Sequence, residues 1–372
     1  MKKKVLVIVQ DILKAQEHEW FVEYINREKF EVHFLLVNGK GSFMDEFLKN
    51  HNIPTYYFEY KGKKNLFILF WSAYRLMKLN RFNIVHSHLF EASLTGLTAA
   101  FFAGVANRIY TRHYSDYHHV WFPGAVKYDK FINSVATGVV ATSRNVEHIL
   151  LREKVPQKKI YLIHHGIDLT DYRPGTVSNE RINKIRAHYN LNVKGPVIGA
   201  ISRFTELKGL QFLIPAFAEL IKDYPSAVLV MSNASGDYKK EILQLLEEIN
   251  PENYRLIKFE NDVAALYKTF DAFVHIPINS TAEAFGQTYL EALASEIPSV
   301  FTLSGVAPEF IIDKENALVV PYCDTNEVKD ALLYILKHPE ETALMSKRGF
   351  ESVKNFDIHI KINKLEKLYS DF

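Results

Sequence analysis

Short apolar runs alternate with amphipathic stretches along the whole chain. In the first half the runs are KVLVIV, EVHFLLV, NIVHSH, NRIYTRH, GVVATS and KIYLIHHG, and in the second half they are GPVIGAIS, AVLVMS, YRLIKF, AFVHIP, PSVFT and ALVVP. Stretches between them, such as LKGLQFLIPAFAELIKDY and TNEVKDALLYILKH, have helical periodicity. This alternation of strand and helix predicts parallel sheets covered by helices on both faces, an α/β fold.

The alternation is interrupted once, in the polar segment 168–195, where Pro174 and Gly175 follow one another. A chain of 372 residues also exceeds what one core usually supports. We therefore predict two doubly wound, Rossmann-like domains, residues 1–172 and 193–355, joined by a linker at 173–192. Such sheets bind ligands at the carboxyl ends of their strands, and we expect those ends to face a shared central cleft.

The net charge is only +2, but it is unevenly distributed. Residues 1–172 contain 23 Lys and Arg against 16 Asp and Glu, a net +7, and the remainder has 22 against 27, a net −5. A basic half suits anionic lipid or a phosphate-bearing substrate, although scattered surface lysines are the commoner explanation. With one cysteine, Cys323, and no apolar stretch near the roughly 18 residues of a membrane span, a soluble cytoplasmic protein is expected.

Several common ligand sites are excluded by their missing motifs. The turn after the first strand, QDILKAQ, has no glycine, so the G-x-G-x-x-G of dinucleotide-binding proteins is absent, and there is no P-loop. No Asp-x-Asp is present to hold a divalent metal on a nucleotide diphosphate. The histidine pairs at 118–119 and 164–165 lack the Cys or carboxylate spacing of a metal site. Metal-dependent nucleotide chemistry is therefore not expected.

Fixed cations offer another way to hold phosphate. The segment SRFTELKGLQFL, residues 202–213, places Arg203 and Lys208 in a loop that enters a helix. Both stay charged at neutral pH, and the Arg fork suits phosphate oxygens. Basic residues at a helix start oppose the helix dipole, which favours a ligand there, although a solvated pair is the alternative.

Two carboxylates, Glu283 and Glu291, mark the segment STAEAFGQTYLEALASEIPSV. On one helix they would lie about 80° apart, so a loop carboxylate followed by a helix carboxylate is the better interpretation. With a helix start near Gly286, Glu291 could accept hydrogen bonds from ribose hydroxyls and Glu283 would face a sugar. The alternative is a pair of solvated carboxylates at a helix start. The amides expected to meet the anionic phosphates belong to Phe285, Gly286, Gln287 and Thr288.

At these residues the sequence resembles the retaining glycosyltransferases of family 4, which have the GT-B fold. Glu283-AFGQTYL-Glu291 is similar to the family's Glu-x7-Glu motif, and SRFTELKG is similar to its donor loop. The strands IVHSH and YTRH, the domain end IHHGID, and the late region SGVAPEFI and ENALVVPYCD match further motifs in the same order. The resemblance thus covers essentially the whole chain.

The resemblance implies a role for each matching residue. Arg203 and Lys208 would hold the donor diphosphate and stabilise it as it leaves, so that no metal or other cofactor is needed. Glu291 would bind the ribose and Glu283 the donor sugar, while His113 would lie against that sugar. Family members are thought to retain the anomeric configuration by same-face attack through an oxocarbenium-like state, and no covalent nucleophile is nominated.

Departures from the family pattern concern acceptor handling at the first of the two positions below and nucleotide fit at the second. DILKAQE stands where relatives carry a glycine pair, and Glu296 stands where they carry a glycine. His86 and His88 are expected to face opposite sides of their strand, so that at most one contacts a ligand. The segment 61–82, an aromatic-rich helix with basic ends, could dock on an anionic membrane, although core packing is the commoner role of such apolar residues. The segment 117–131 exposes similar aromatics and could shape the acceptor site.

These observations predict an enzyme with a basic amino-terminal acceptor domain, on which residues 356–372 pack back, and a carboxy-terminal donor domain. It would transfer sugar from a nucleotide sugar to a glycan or lipid-linked glycan in bacterial cell-surface polysaccharide or glycolipid assembly. No nucleic-acid partner is expected. Peripheral contact with the inner face of the membrane stays open, as do two alternatives: a GT-B nucleotide-sugar epimerase, and a catalytically silent subunit that binds nucleotide or a partner enzyme.

Overall fold

The structure, a computed structural model, describes residues 2–12, 14–60, 62, 65–172 and 175–372. Pro174 of the predicted linker, and Lys61, Lys63 and Lys64 at the start of the aromatic segment 61–82, lie outside the described residues. The chain divides into two compact units. Unit 1 is residues 1–166 with 358–372, and unit 2 is residues 167–357.

In the described part of unit 1, seven parallel strands form one sheet in the order β3-β2-β1-β4-β5-β6-β7. The strands are β1 Lys3–Gln10, β2 Phe30–Val37, β3 Thr55–Phe58, β4 Ile84–His88, β5 Asn107–Arg112, β6 Gly138–Ala141 and β7 Ile160–Leu162. The helices between them are α1 Gln16–Tyr24, α2 Phe43–Asn50, α3 Leu66–Asn80, α4 Phe90–Ala103, α5 Tyr117–Trp121, α6 Val126–Val135 and α7 Arg144–Arg152.

The central strand β1 shows why this sheet is parallel and covered on both faces. Every residue from Val5 to Val9 is buried, so both faces of the strand meet apolar neighbours. In register, Val7 pairs with Phe34 of β2 on one side and with His86 of β4 on the other. The strand order reverses between β1 and β4, which makes their carboxyl ends the ligand-binding edge of a doubly wound sheet.

Unit 2 repeats this architecture with a six-stranded parallel sheet in its described residues, in the order β10-β9-β8-β11-β12-β13. The strands are β8 Val197–Ile201, β9 Val228–Ser232, β10 Tyr254–Ile257, β11 Ala272–His275, β12 Ser299–Phe301 and β13 Leu318–Val319. The helices are α8 Asn179–His188, α9 Leu210–Asp223, α10 Lys239–Leu246, α11 Val263–Tyr267, α12 Gln287–Ala294, α13 Thr325–Lys337 and α14 Pro339–Val353. The order reverses between β8 and β11.

The segment 173–192, predicted as a linker, contains helix α8 of unit 2. Arg181 on this helix forms a two-pronged salt bridge with Asp262, at 2.8 Å from Nε and 2.6 Å from Nη2, just before α11 begins. The pairing fixes the helix against unit 2, which begins at Ile167.

The last helix, α15 Ile358–Asp371, packs on unit 1. Its Tyr369 is fully buried, and Lys3 Nζ contacts the main-chain oxygens of Tyr369 and Ser370 at 3.0 and 2.8 Å. A basic side chain at the end of a helix satisfies carbonyl groups that have no intrahelical partner. The chain thus returns to the first unit, with the carboxy-terminal helix closing its core.

Among the described residues, no helix combines the length and the apolar composition that crossing a bilayer requires.

Candidate functional site

In unit 2, Lys208 is held at the edge of the sheet where the strand order reverses. It ends the 3₁₀ turn Glu206–Lys208 after β8, and the next residue, Gly209, has a φ of +74°. A Cβ at Gly209 would lie 1.9 Å from the carbonyl oxygen of Ile276, just beyond β11. Glycine therefore lets the two loops approach, and Lys208 Nζ lies 2.5 Å from Oε1 of Glu283.

Glu283 is buried and is held as a carboxylate. His275 Nε2 lies 3.0 Å from the same Oε1, and the main-chain N–H of Glu283 donates to Oγ of Ser304. Burial raises the pKa of Glu283, but the Lys208 ammonium and the His275 hydrogen bond outweigh burial and lower the pKa to about 2. Burial also lowers the pKa of His275, so a neutral ring donates its Nε2–H. The carboxylate is ionised and oriented at neutral pH.

The turn after Glu283 depends on Gly286, the N-cap of helix α12. Its φ is +92°, and a Cβ at this position would lie 2.6 Å from the ring of Tyr289. That ring is fixed because Tyr289 is fully buried and its hydroxyl donates to the carbonyl oxygen of Thr302. The helix therefore begins where the sequence predicted, with the positive end of its dipole and its first N–H groups beside the acidic loop.

Glu291 lies one turn into α12, and its environment differs from that of Glu283. The hydroxyl of Tyr267 donates to its Oε2 at 3.1 Å. Burial raises the pKa of Glu291, the Tyr267 hydrogen bond offsets only part of this effect, and the pKa is about 7. This carboxyl group consequently exchanges its proton near neutral pH.

The other residues predicted for this site occupy the same loops. Arg203 is exposed in the loop that carries Lys208, and Gln287 and Thr288 form the half-buried first turn of α12. Phe285 is buried, and its ring packs 6.2 Å from that of Phe356, so its side chain supports the loop from within. The structure thus joins Lys208 directly to Glu283, and it keeps Arg203 in the solvent-facing part of the loop.

In unit 1, His113 stands immediately after β5 within a cluster of histidines. Its Nε2 lies 2.9 Å from Nδ1 of His88, and its ring stacks on His165 with a centroid separation of 5.3 Å. Burial lowers the pKa of His113 to about 3, so the ring is neutral at physiological pH. A neutral imidazole here donates or accepts a hydrogen bond and carries no charge.

The expectation that His86 and His88 face opposite sides of β4 was wrong. Residues two apart in a strand point to the same face, and these two rings lie with their centroids 4.5 Å apart. His86 is bonded to the Tyr369 hydroxyl at 2.6 Å and to Thr111 at 2.8 Å, while His88 is bonded to His113. Both are buried, and His88 connects the core to the ligand-facing edge.

Glu17 of α1 completes this cluster. The donor atoms of Glu17, His113 and His165 all lie within 4.8 Å of one another, a set that could hold a metal ion. However, Lys361 Nζ contacts the Glu17 carboxylate and lies 3.2 Å from Nδ1 of His165. Burial raises the pKa of Glu17, but His165 and Lys361 outweigh it and hold the pKa well below its usual value. The lysine ammonium already balances the carboxylate and opposes a second cation.

Sequence reasoning missed four side chains of these clusters. His275 ends the predicted strand AFVHIP, at the same sheet edge as the Lys208 loop, and this position was a usable signal. Tyr267 and Glu17 carry no motif. Lys361 meets Glu17 across 344 positions of the chain, and no local pattern indicates such a contact.

Two family models match the chain and together cover nearly all of it. The model described as Glycosyl transferases group 1 matches residues 181–352, which include Arg203, Lys208, Glu283 and Glu291. The model described as Glycosyltransferase Family 4 matches residues 21–171, which include His113. The two matched segments fall in units 2 and 1 almost entirely.

Two relatives match the chain over more than four fifths of their length, at low identity. The chain is 24% identical over 341 residues to alpha-monoglucosyldiacylglycerol synthase of Acholeplasma laidlawii, covering 86% of this chain and 83% of that protein. It is 24% identical over 367 residues to the capsular polysaccharide biosynthesis glycosyltransferase CapM of Staphylococcus aureus, covering 94% and 92%. Among solved structures it resembles Anabaena Alr3699/HepE in complex with UDP and glucose, with a TM-score of 0.85, 19% identity and full coverage of both chains.

Proposed function

The chain belongs to the family 4 glycosyltransferases with the GT-B fold, and from this premise we propose a retaining, metal-independent enzyme. It moves a sugar from a nucleotide-diphosphate sugar to a hydroxyl group of a glycan or a lipid-linked glycan. The observation that carries the proposal is the contact of Lys208 with Glu283 beside the Gly286-capped start of α12.

We assign the donor to unit 2. Lys208 and Arg203 bind the diphosphate, together with the amides of Gly286, Gln287 and Thr288 at the positive end of α12. The buried side chain of Phe285 anchors the loop that carries these amides. Glu283, kept ionised by Lys208 and His275, accepts hydrogen bonds from the donor sugar, and Glu291 accepts them from the ribose.

The reaction then needs stabilisation of the leaving group more than a nucleophile from the protein. The bond from the anomeric carbon to the phosphate oxygen breaks, and its electron pair stays on the phosphate. The acceptor oxygen bonds the same face of the oxocarbenium-like sugar, and the acceptor proton passes to the departing phosphate. Lys208 and Arg203 stabilise the charge that develops on that phosphate.

Metal independence is part of the proposal. The fixed cations of unit 2 supply the positive charge that a divalent metal would otherwise bring to the diphosphate. In unit 1, the Lys361 ammonium already neutralises the Glu17 carboxylate, the one anionic donor among the three that lie close together. Both observations support chemistry that depends on protein cations alone.

Unit 1 is proposed to bind the acceptor, with His113 as its contact to the reacting sugars. A neutral His113, bonded through Nε2 to His88, presents its remaining ring nitrogen and its main-chain carbonyl as uncharged hydrogen-bonding groups. The names of the two relatives support a role in glycolipid or polysaccharide assembly at the bacterial cell surface. We propose a cytoplasmic location for the enzyme.

A thermal-shift screen of nucleoside diphosphates tests the donor assignment. One of them should stabilise the native state by about 2.7 kcal/mol at 100 times its dissociation constant. Lys208→Met should abolish the shift, whereas Lys222→Met, an exposed lysine of unit 2 paired with Glu219, should retain it. If no nucleoside diphosphate raises the melting temperature, the donor assignment is wrong.

Product analysis separates transfer from the two alternatives. Donor with acceptor should release free nucleoside diphosphate and form a glycoside that keeps the anomeric configuration of the donor. An epimerase would convert the donor alone into an isomer. A silent subunit would bind nucleotide without turnover, and its cellular function would survive Glu283→Ala.

A further inference from the structure

The segment that follows His113 carries a dense set of exposed apolar side chains. It comprises α5, the 3₁₀ turn Pro123–Ala125 and α6. Six large apolar side chains in it are between 44% and 58% exposed, namely Tyr117, Val120, Trp121, Phe122, Tyr128 and Phe131. Large apolar groups gathered in this way on a surface usually mark a site of interaction with a membrane or with another protein.

The exposed charged side chains of the same segment are all basic. Lys127 and Lys130 are exposed among the rings. Asp129, the one acid between residues 117 and 134, is fully buried, and the nearest acid outside the segment, Asp116, is half-buried. The outward face of the segment is therefore apolar and basic.

A buried ionic network holds this segment rigidly on unit 1. Arg112, fully buried at the end of β5, lies 2.9 Å from Glu153 and 3.5 Å from Asp129. His118 and His119 of α5 bond to Asp129 and Glu153 respectively, each at 2.9 Å. The exposed rings are thus presented by a fixed scaffold, because His118, His119 and Asp129 of the segment all take part in this network.

Helix α3 presents a second face of the same character. Its exposed residues fall within an arc of about 120° around the helix axis. Leu66–Asn80 contains no acidic residue. The exposed residues are Phe67, Ile68, Trp71, Arg75, Lys78 and Leu79.

Helix α4 joins the two faces. At its amino end the ring of Phe90 contacts that of Tyr128 at 6.4 Å, and at its carboxyl end Phe102 contacts Phe70 of α3 at 5.9 Å. The Arg108 guanidinium lies over the ring of Phe101 at this end. One exposed acid, Glu91, stands near the start of α4. We call the combined surface of α3, α4, α5 and α6 the apolar–basic face.

We propose that the apolar–basic face docks unit 1 on an anionic lipid bilayer, and that the acceptor is a hydroxyl carried by a lipid at that surface. The assignment of a lipid-borne acceptor rests on the proposed glycosyltransferase function. Aromatic rings with interspersed lysines suit the membrane interface, where the rings enter the headgroup boundary and the cations meet anionic lipids. Protein interfaces, in contrast, are depleted in lysine.

Two further observations favour a bilayer. Unit 1 contains 26 Lys and Arg against 16 Asp and Glu, a net +10, whereas unit 2 is net −8, so attraction to an anionic surface acts on unit 1 alone. The segment also begins four residues after His113, at the carboxyl edge of the sheet. A lipid-borne hydroxyl at the headgroup level therefore lies near the acceptor-binding edge.

The tryptophans of the protein provide the assay. Trp71 and Trp121 are 45% and 47% exposed on this face, while Trp20 is 7% exposed in the core. Vesicles of phosphatidylcholine with phosphatidylglycerol should shift the emission to shorter wavelength, and brominated lipid should quench it. Trp71→Phe and Trp121→Phe should each remove part of the quenching, and the double variant, which keeps Trp20, should show none.

Affinity measurements by co-sedimentation then separate the contribution of the lysines from that of the aromatic rings. Lys127→Gln with Lys130→Gln should weaken binding to these vesicles about fivefold for each lysine. Trp121→Ser with Phe122→Ser should weaken it at least about tenfold. Matched changes in unit 2, Lys239→Gln with Lys240→Gln and the exposed Phe259→Ser, should leave it unchanged.

The outcomes distinguish this proposal from the proposed function. If nucleoside diphosphate stabilises the protein but the vesicles of phosphatidylcholine with phosphatidylglycerol do not bind at low salt, the docking proposal is wrong and the transferase proposal stands. If vesicles bind and no nucleotide does, the transferase proposal fails and docking stands. A concentration-dependent dimer in which Trp71 and Trp121 become shielded without lipid would show that a second copy covers the face, and would overturn docking.

Discussion

Glu283 and Glu291 belong to one motif, yet their neighbours give them opposite protonation behaviour. Both lose solvent, which raises the pKa of a carboxyl group. Glu283 gains a lysine ammonium and a histidine N–H, whereas Glu291 gains a tyrosine hydroxyl. One is a permanent anion and the other titrates near neutral pH.

The charge of Glu283 should be essential for turnover. Glu283→Gln keeps the shape but removes the anion that Lys208 and His275 orient, so we expect kcat to fall about 10²–10³-fold. Glu315→Gln, an exposed acid of unit 2, is the control. Steady-state kinetics with an unchanged circular dichroism spectrum would measure the effect, and a loss below fivefold would contradict the assigned role.

Binding of the nucleotide sugar should strengthen as pH rises through about 7. The ionised form of Glu291 is the better acceptor for ribose hydroxyls, and its pKa in the free protein is about 7. A ligand that prefers the ionised form binds more weakly below this pH, where Glu291 is protonated. Calorimetry with an intact nucleotide sugar, whose phosphates do not titrate in this range, should show this slope, and Glu291→Gln should flatten it. An equal slope in the variant would assign it to another group.

Chelators should leave activity unchanged. The three close donors Glu17, His113 and His165 lie against the Lys361 ammonium, which opposes a divalent cation. Turnover after dialysis against EDTA should equal that of the untreated enzyme, and added Mg²⁺ or Zn²⁺ should not raise it. Loss of activity that a single metal restores would identify a metal site and refute metal independence.

At the scale of the element, α1 and α12 show how departures from the family pattern are accommodated. The segment after β1 lacks the glycine pair that the resemblance implies, and Glu17 lies in the first turn of α1 beside His113 and His165. After α12, Glu296, at the position where the resemblance implies a glycine, adopts a left-handed φ of +53°. The backbone geometry is that of a glycine, although the residue is not.

Glu296→Gly should therefore be neutral or stabilising. A non-glycine residue in the left-handed region is strained, so relief of that strain should raise the free energy of unfolding by up to about 1 kcal/mol. The same change inside the helix, Ala292→Gly, should lower it by at least about 1 kcal/mol. Urea unfolding measures both, and a destabilised Glu296→Gly would mean that the side chain contributes a contact of its own.

At the scale of the whole molecule, α15 packs the carboxy-terminal end of the chain into unit 1, which also contains the amino-terminal end. Tyr369 fills the core of unit 1 against Phe21 and Phe30, and its hydroxyl bonds to His86. The histidine cluster near the proposed acceptor site therefore depends on the last turn of the chain. Unit 2 has a core of its own.

Tyr369→Ala should destabilise unit 1 selectively. Loss of this buried ring should cost about 3–5 kcal/mol, and Tyr369→Phe, which removes only the hydroxyl, should cost about 1 kcal/mol. Nucleoside diphosphate should still stabilise unit 2 in both variants. Urea unfolding with and without ligand measures this, and loss of nucleotide binding in Tyr369→Phe would contradict independent donor binding.

The distribution of apolar residues was enough to predict two doubly wound sheets, because parallel strands buried on both faces must be nearly continuous apolar runs. The start of α12 was also predictable, since Gly286 and the polar residues before it are local signals. The aromatic-rich segments could also be recognised from the sequence. Whether their side chains face the core or the solvent could not be predicted, because helical periodicity does not say which neighbours cover a helix.

The sequence by itself determined the strands, their alternation with helices, the glycine turn and the acids around it, since each depends on residues a few positions apart. Only the tertiary structure decided that His275 and Lys208 converge on Glu283, that Lys361 reaches Glu17, and which aromatic rings stay exposed. The physical reason is that burial and charge pairing depend on atoms close in space. Chain distance places no limit on those contacts, so no local pattern records them.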